Sequence, residues 1–328
     1  MTAIPALDVQ SLDLVYRTDD GPLHALRDVT IEVGAGEIVG IVGESGCGKS
    51  SLIQAILRLM PANASVPQGR ISVAGTDILD LSGEAMRRMR GDQVSVVFQD
   101  PMTALNPVLT VGKQMIDVQY RRNHGKSEKR DRAIEMLRKV RIPDPERRLG
   151  QYPHEFSGGM KQRIAIAMAL MAEPSLLIAD EPTTALDATL ELATIELLKD
   201  LQREMGCAIL FISHHLGVIA ELCDRVNVMY AGEVVETGDI RSVFNNPRHP
   251  YTQRLLACDP GRVVERSRRL PTIPGHLPDL INLPPGCVFA DRCPAAFEPC
   301  RKRPPNMYGL KADNAVRCYL YAPGAALP

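Results

Sequence analysis

No stretch of this 328-residue sequence approaches the ~18 apolar residues that a membrane span requires. The longest apolar run, Ile164 to Ala172, has nine. The first residues include Asp8 and Asp13 and lack a basic, apolar leader, so a cytoplasmic chain is expected. Net charge is missing too: 38 Lys and Arg stand against 39 Asp and Glu, leaving −1. That removes the basic excess on which sequence-independent nucleic-acid binding depends, and no nucleic-acid partner is expected. Internal repeats and low-complexity tracts are also lacking. With 45% apolar and 23% charged residues, wholesale disorder is excluded, and the length suits one large domain or two ordinary ones.

Strand and helix signals alternate along the chain. Leu7 to Val33 reads as short β segments broken by the turn signal Asp20-Gly21-Pro22. Glu37 to Val42, Asp92 to Phe98, Ser175 to Ala179, Ala208 to Ser213 and Val226 to Tyr230 read as strands. Lys49 to Met60, Lys161 to Ala172 and Leu190 to Met205 read as helices, and a charged helix-favouring segment spans Pro107 to Tyr152. This alternation predicts a parallel α/β core with a helical insertion.

Three elements carry chemistry. Gly43-Glu44-Ser45-Gly46-Cys47-Gly48-Lys49-Ser50 follows a predicted strand and opens a predicted helix. Glycines let backbone N–H groups wrap phosphate oxygens at the positive end of a helix dipole. Lys49 adds a point charge for the β and γ phosphates, Ser50 a hydroxyl for Mg²⁺, and Ser51 is the last of the candidate nucleotide-binding residues from Gly43 onward. Asp180 and Glu181 end an apolar strand, where ligands bind in open α/β sheets. Asp180 can hold Mg²⁺ and Glu181 can polarise an attacking water. The third element is a group of four cysteines, Cys287, Cys293, Cys300 and Cys318, with five, six and seventeen residues between them. They lie in a proline-rich last quarter, since 14 of 25 prolines occur from Pro247 onward. Without a tight knuckle, zinc fits this spacing less well than an iron–sulfur cluster, with zinc and free thiols as alternatives.

Together these elements resemble the ATP-binding subunit of an ABC transporter. Phe156-Ser157-Gly158-Gly159-Met160-Lys161-Gln162-Arg163 is similar to the family's signature motif, which completes a partner subunit's ATP site. Val97 to Pro101 resembles the Q-loop, with Gln99 near Mg²⁺ and the attacking water. Ala185-Leu186-Asp187 resembles the D-loop, and Ser213-His214-His215-Leu216 the switch segment, with His214 at the γ phosphate. Tyr16 stands where the family places an adenine-stacking aromatic. Two positions depart from the pattern: Met160 replaces the usual Gln, and His215 the usual Asp. Neither removes Ser157, the glycines or His214, so hydrolysis is expected to be intact.

The resemblance implies an α/β fold with a RecA-like P-loop core, an antiparallel β subdomain, an inserted α-helical subdomain and a loop-rich C-terminal extension. Residues 1–240 would form the nucleotide-binding domain, with the insertion at about 102–165, and residues 241–328 the extension. Asn246 to Thr252 and Leu283 to Cys287 resemble the extension of dipeptide, oligopeptide and nickel importer ATPases, some of which carry a 4Fe-4S cluster there. The implied partners are a second ABC ATPase subunit (a different paralogue in this branch), two transmembrane permease subunits and a periplasmic or extracellular solute-binding protein. The implied location is peripheral, on the cytoplasmic face of the inner membrane. The alternatives are a regulatory subunit that binds ATP without hydrolysing it, and an importer of nickel or another small solute.

Overall fold

The computed structural model describes residues 4–100, 104–184, 186–259, 271–310 and 314–324. Pro101 and Ala185, which complete two of the motifs above, lie outside these, as do residues 102–103 of the expected insertion. Strands β1 (Leu7–Thr18) and β2 (Gly21–Val33) form a long antiparallel pair. The turn falls at residues 19–20, one step earlier than the Asp-Gly-Pro signal suggests, and Gly21 and Pro22 open β2. Proline is tolerated there because β2 is an edge strand of its sheet. Burial alternates along the end of β2, with Val29, Ile31 and Val33 inside. Short strands β4 (Ala64–Ser65), β5 (Arg70–Val73) and β6 (Thr76–Asp77) complete this antiparallel layer among the described residues.

The central sheet is built from β3 (Ile38–Val42), β7 (Val94–Val97), β8 (Leu176–Asp180), β9 (Ala208–Ile212) and β10 (Arg225–Tyr230). They lie parallel in the order β10-β3-β9-β8-β7. Every residue of β3 and β9 is buried, as expected for strands covered on both faces. The two-residue period divides their side chains between two cores. Val39, Ile41, Leu210 and Ile212 meet the antiparallel layer and the helix Lys49–Leu57. Ile38, Val42, Ile209 and Phe211 meet the helices Gly158–Leu170, Ala188–Met205 and Leu216–Leu222. The helix after β3 stops at Leu57, before the expected Met60, because Arg58 turns into the left-handed region at φ 47°. Helices Val111–Asp117, Lys126–Lys139 and Pro145–Arg148 form the insertion.

The proline-rich C-terminal part has short helices, Pro250–Ala257 and Glu298–Lys302, and otherwise loops, as its composition suggests. It also prolongs the central sheet. β11 (Glu233–Asp239) pairs antiparallel with β10, then β13 (Ala315–Val316) with β11, then β12 (Tyr308–Gly309) with β13. Val288 and Phe289 join the same core as β3 and β9. Few as the aromatics are, Tyr230, Tyr251 and Phe289 gather here with ring centroids 4.6–5.5 Å apart. Glu236 accepts the backbone N–H groups of Arg248 and His249 at 2.7 and 2.9 Å.

Beside them His249 is fully buried and its Nδ1 accepts the Tyr251 N–H at 3.0 Å. Burial opposes its charged form and holds its pKa down to about 3. Below about pH 6.5 the unfolded chain takes up a proton that the folded chain refuses, so this group removes stability as pH falls toward 3. From pH 7 to pH 5 the loss is about 2 kcal/mol. Urea unfolding at both values should show the wild type losing that much more than H249N.

Candidate nucleotide site

Strand register brings the reacting groups together. Ile212 of β9 pairs with Ile41 of β3 and with Asp180 of β8, and Val97 of β7 pairs with Ala179. The residues just beyond these ends are the Gly43 loop, Glu181, His214 and Gln99. A cavity of about 480 Å³ opens there, lined among others by Tyr16, Ser45, Gly46, Gly48, Lys49, Ser50, Ser51, Gln99, Glu181 and His214. Leu23, Ala25 and Leu280 add apolar wall.

The loop conformation depends on its glycines. Gly48 has φ 107° and a side chain there would lie 2.9 Å from the Ala25 carbonyl oxygen. A Cβ on Gly43 would collide with the Met229 carbonyl. Lys49 Nζ donates to the carbonyls of Gly43 and Glu44 at 2.7 and 3.2 Å, inside the loop it closes. Cys47 is fully buried with its thiol turned into the core, so only its backbone can serve a ligand. Its Sγ lies 3.6 Å from Lys49 Nζ, yet burial keeps the thiol pKa above its ordinary value. The Tyr16 hydroxyl sits 3.2 Å from both Ser51 Oγ and Gln54 Oε1, which fixes the ring at the cavity rim.

Glu181 is the hub. Its Oε2 accepts Gln99 Nε2 at 2.9 Å and the Thr184 hydroxyl at 3.1 Å, while Oε1 lies 3.1 Å from His214 Nδ1. Its backbone has φ 46°, the left-handed region in a non-glycine residue, and its N–H donates to Ile212 O. Such a conformation costs about 1–3 kcal/mol and persists where the surroundings impose it. Asp180, half-buried behind it, has its pKa raised first by burial and then by the Glu181 charge. Ser50, Gln99 and Asp180 supply the hydroxyl, amide and carboxylate oxygens that suit a hard cation such as Mg²⁺. His215 turns away, with Nδ1 3.0 Å from Glu191 on the helix Ala188–Met205.

The remaining motif residues stand apart from this cavity. Ser157 caps the helix Gly158–Leu170 through Met160 N–H, and Gly158 is exposed beside it while Gly159 is buried. Asp187 caps the helix Ala188–Met205, accepting from Thr189 and Leu190. None of Ser157, Gly158, Gly159, Met160 or Asp187 lines the Lys49 cavity. Cys287, Cys293, Cys300 and Cys318 share a second, small cavity with His249, Phe289 and Tyr319. Burial raises their thiol pKa values where a shift is resolved, to about 12 for Cys287 and about 11 for Cys318. No group of three or more His, Cys, Asp or Glu side chains among the described residues is arranged to hold a metal ion.

Comparison with known proteins agrees with this geometry. The ABC transporter family model matches residues 26–184, and the model for the C-terminal region of oligopeptide/dipeptide transporters matches residues 235–300. A probable D,D-dipeptide transport ATP-binding protein of Escherichia coli is 47% identical over 97% of this chain and 97% of its own length. The chain belongs to the ATP-binding subunits of ABC transporters. A probable peptide ABC transporter ATP-binding protein of Sinorhizobium fredii is 48% identical over 95% of this chain and 94% of its own. Among solved structures, the dimeric cassette MJ0796 with ADP and Pi is 29% identical with a TM-score of 0.63, covering 72% of this chain and 99% of that one. The cassette cbiO1 of Clostridium perfringens is 31% identical with a TM-score of 0.65, covering 74% of this chain and 91% of that one. The RecA-like fold expected from the motifs is thus the observed one, and this ABC subunit is an ATPase. Sequence reasoning missed Leu23, Ala25 and Leu280, because no local pattern marks them.

The raised Asp180 pKa has a stability consequence. A carboxyl whose folded pKa exceeds its unfolded value disfavours folding once ionised, so the penalty is present at neutral pH and fades as pH falls toward 3.8. Asp180→Asn should therefore raise the thermal midpoint of the nucleotide-free chain by about 1–3 °C. The same change should weaken MgATP binding by about tenfold or more.

Proposed function

We propose that this ATPase powers peptide import, with two ATP molecules held between its cassette and that of a second ATPase subunit, a different paralogue. The observation that carries the reading is the single cavity where Tyr16, the Gly43–Ser50 loop, Gln99, Glu181 and His214 meet, with the Ser157 helix tip presented elsewhere on the same chain. A signature that does not line its own chain's nucleotide cavity is free to complete another chain's site. Tyr16 takes the adenine, the loop amides and Lys49 the phosphates, and Ser50, Gln99 and Asp180 would hold Mg²⁺, which supplies charge neutralisation at the phosphates. Glu181 accepts a proton from the attacking water, Gln99 orients that water, and His214 donates to the γ phosphate. Asp187 lies at the dimer seam.

Peptide cargo is supported by the C-terminal family match and by the names of the relatives, including an oligopeptide transport ATP-binding protein of Bacillus subtilis, 46% identical over 97% of this chain. Peptide transport in turn calls for two permease subunits and an external solute-binding protein. A groove of about 490 Å³ between the β7 edge and the insertion is lined by Leu59, Phe98, Leu105, Val118 and Tyr120, with Phe98 and Tyr120 largely exposed. It suits an apolar permease segment and a peripheral position at the cytoplasmic face of the inner membrane. No helix among the described residues is long and apolar enough to cross a membrane.

We infer a 4Fe-4S cluster at Cys287, Cys293, Cys300 and Cys318 from their number, the donor count such a cluster takes, and from the one small cavity they line, although the described side chains are not themselves arranged to hold a metal ion. It would brace a loop-rich segment. Two measurements test these readings. In the assembled transporter, Glu181→Gln should bind ATP within about threefold of wild type while turnover falls by about a thousandfold, and unchanged turnover would refute the assignment. Anaerobically purified protein should contain about four irons with visible absorbance. Stoichiometric zinc without absorbance would overturn the cluster.

A further inference from the structure

Glu44, the second residue of the phosphate loop, is gripped from outside the cassette. Arg292 closes the short turn Ala290–Arg292 in the C-terminal extension, one residue before Cys293, and its side chain is only 5% exposed. Nη1 donates to Glu44 Oε2 at 2.8 Å and Nη2 to Glu44 Oε1 at 3.1 Å, a bidentate fork. The other donors are occupied as well: Nε by Pro274 O at 2.9 Å, Nη1 by the Tyr230 hydroxyl at 3.2 Å, and Nη2 by Ile273 O at 3.1 Å. The extension also takes the Glu44 backbone, whose N–H donates to the Tyr251 hydroxyl at 2.9 Å. The Glu44 carbonyl is left facing inward, where it accepts from Cys47 N–H and from Lys49 Nζ, both at 3.2 Å. Farther along the same rim, Leu280 O accepts His24 N–H at 2.9 Å, and Leu280 itself lines the cavity.

We propose that Arg292 is a positioning residue for ATP binding, holding the phosphate loop in shape through Glu44 and cancelling the Glu44 charge beside the triphosphate. The inference rests on reading the Gly43–Ser50 loop as the phosphate cradle. Two physical effects act in the same direction. A loop with three glycines in six residues is costly to order, and a saturated guanidinium fork fixes one end of it before the nucleotide arrives. A carboxylate released from that fork would stand unpaired near an anionic ligand and repel it. If Arg292 served only to attach the extension, its loss would lower stability while leaving the affinity of the folded protein for nucleotide unchanged.

The test compares full-length wild type, R292Q, R292K, E44Q and the double variant R292Q/E44Q by MgATP titration and thermal melting, with KM and kcat read in the assembled transporter. R292Q should weaken MgATP binding about tenfold or more and raise KM for ATP, with kcat changed less than about threefold. R292K, which keeps the charge and loses the fork, should fall between R292Q and wild type. Adding E44Q to R292Q should restore binding to within about threefold of E44Q alone, because the stranded charge is gone. Folded R292Q binding within twofold of wild type would overturn the proposal, and so would independent, additive effects of R292Q and E44Q. Should R292Q not fold, R292K decides: an unchanged KM for ATP refutes the clamp. Absence of MgATP binding by the wild type would instead strike at the cradle reading itself.

Discussion

Three parallel strands, β3, β8 and β9, are hydrogen-bonded side by side, and their register sets where every reacting group falls. Ile41, Asp180 and Ile212 lie level across the sheet, and Ser213 N–H donates to Ile41 O while Glu181 N–H donates to Ile212 O. A slip of one residue would turn buried side chains from one core to the other, so burial on both faces protects the register strongly. The loops that leave these strands inherit that precision. β7 extends the argument by one strand: Val97 stands opposite Ala179, so two residues on Gln99 reaches Glu181.

At that edge the Glu181 carboxylate is shared by Gln99, Thr184 and His214, and its backbone sits in a conformation few glutamates adopt. The strain and the triple contact belong together. The Ile212 carbonyl of β9 holds the strained turn after β8 by accepting the Glu181 backbone N–H. Each of the three partners comes from a different loop, so Glu181 joins the segments that follow β7, β8 and β9. His215 extends this linkage, since its contact with Glu191 ties the switch segment to the helix that Asp187 caps.

What was legible in the sequence was local. A glycine-lysine-serine loop, an acid pair after an apolar run and a serine-glycine helix cap declare themselves within eight residues, because backbone conformation and chemistry coincide there. Gly48 takes a φ of 107° that favours glycine, and Ser157 is a residue type suited to a cap. Strand ends and helix ends were legible to within a few residues, the left-handed Arg58 being one that no propensity announces. The contribution of the C-terminal part was hidden for a different reason. Its proline and cysteine content marked a change in composition, yet the pairing of β13 with β11 and of Arg317 with Asp28 joins residues far apart in the chain. Arg292 carries no mark at all: only the fold shows that it ends beside Glu44.

That hidden contribution changes how the extension should be understood. Arg317 donates to Asp28 and to the Val234 carbonyl, Glu236 receives two backbone donors at the start of the helix Pro250–Ala257, and the three-ring cluster spans the junction. These polar groups are satisfied only when both parts are in place, and a buried group deprived of its partner costs about 1–3 kcal/mol. Cassette and extension therefore stabilise one another across this junction. The same junction places the four-cysteine cavity beside Phe289 and Ala290, and the phosphate loop beside Arg292. One short turn thus lines the four-cysteine cavity through Ala290 and reaches the phosphate loop through Arg292.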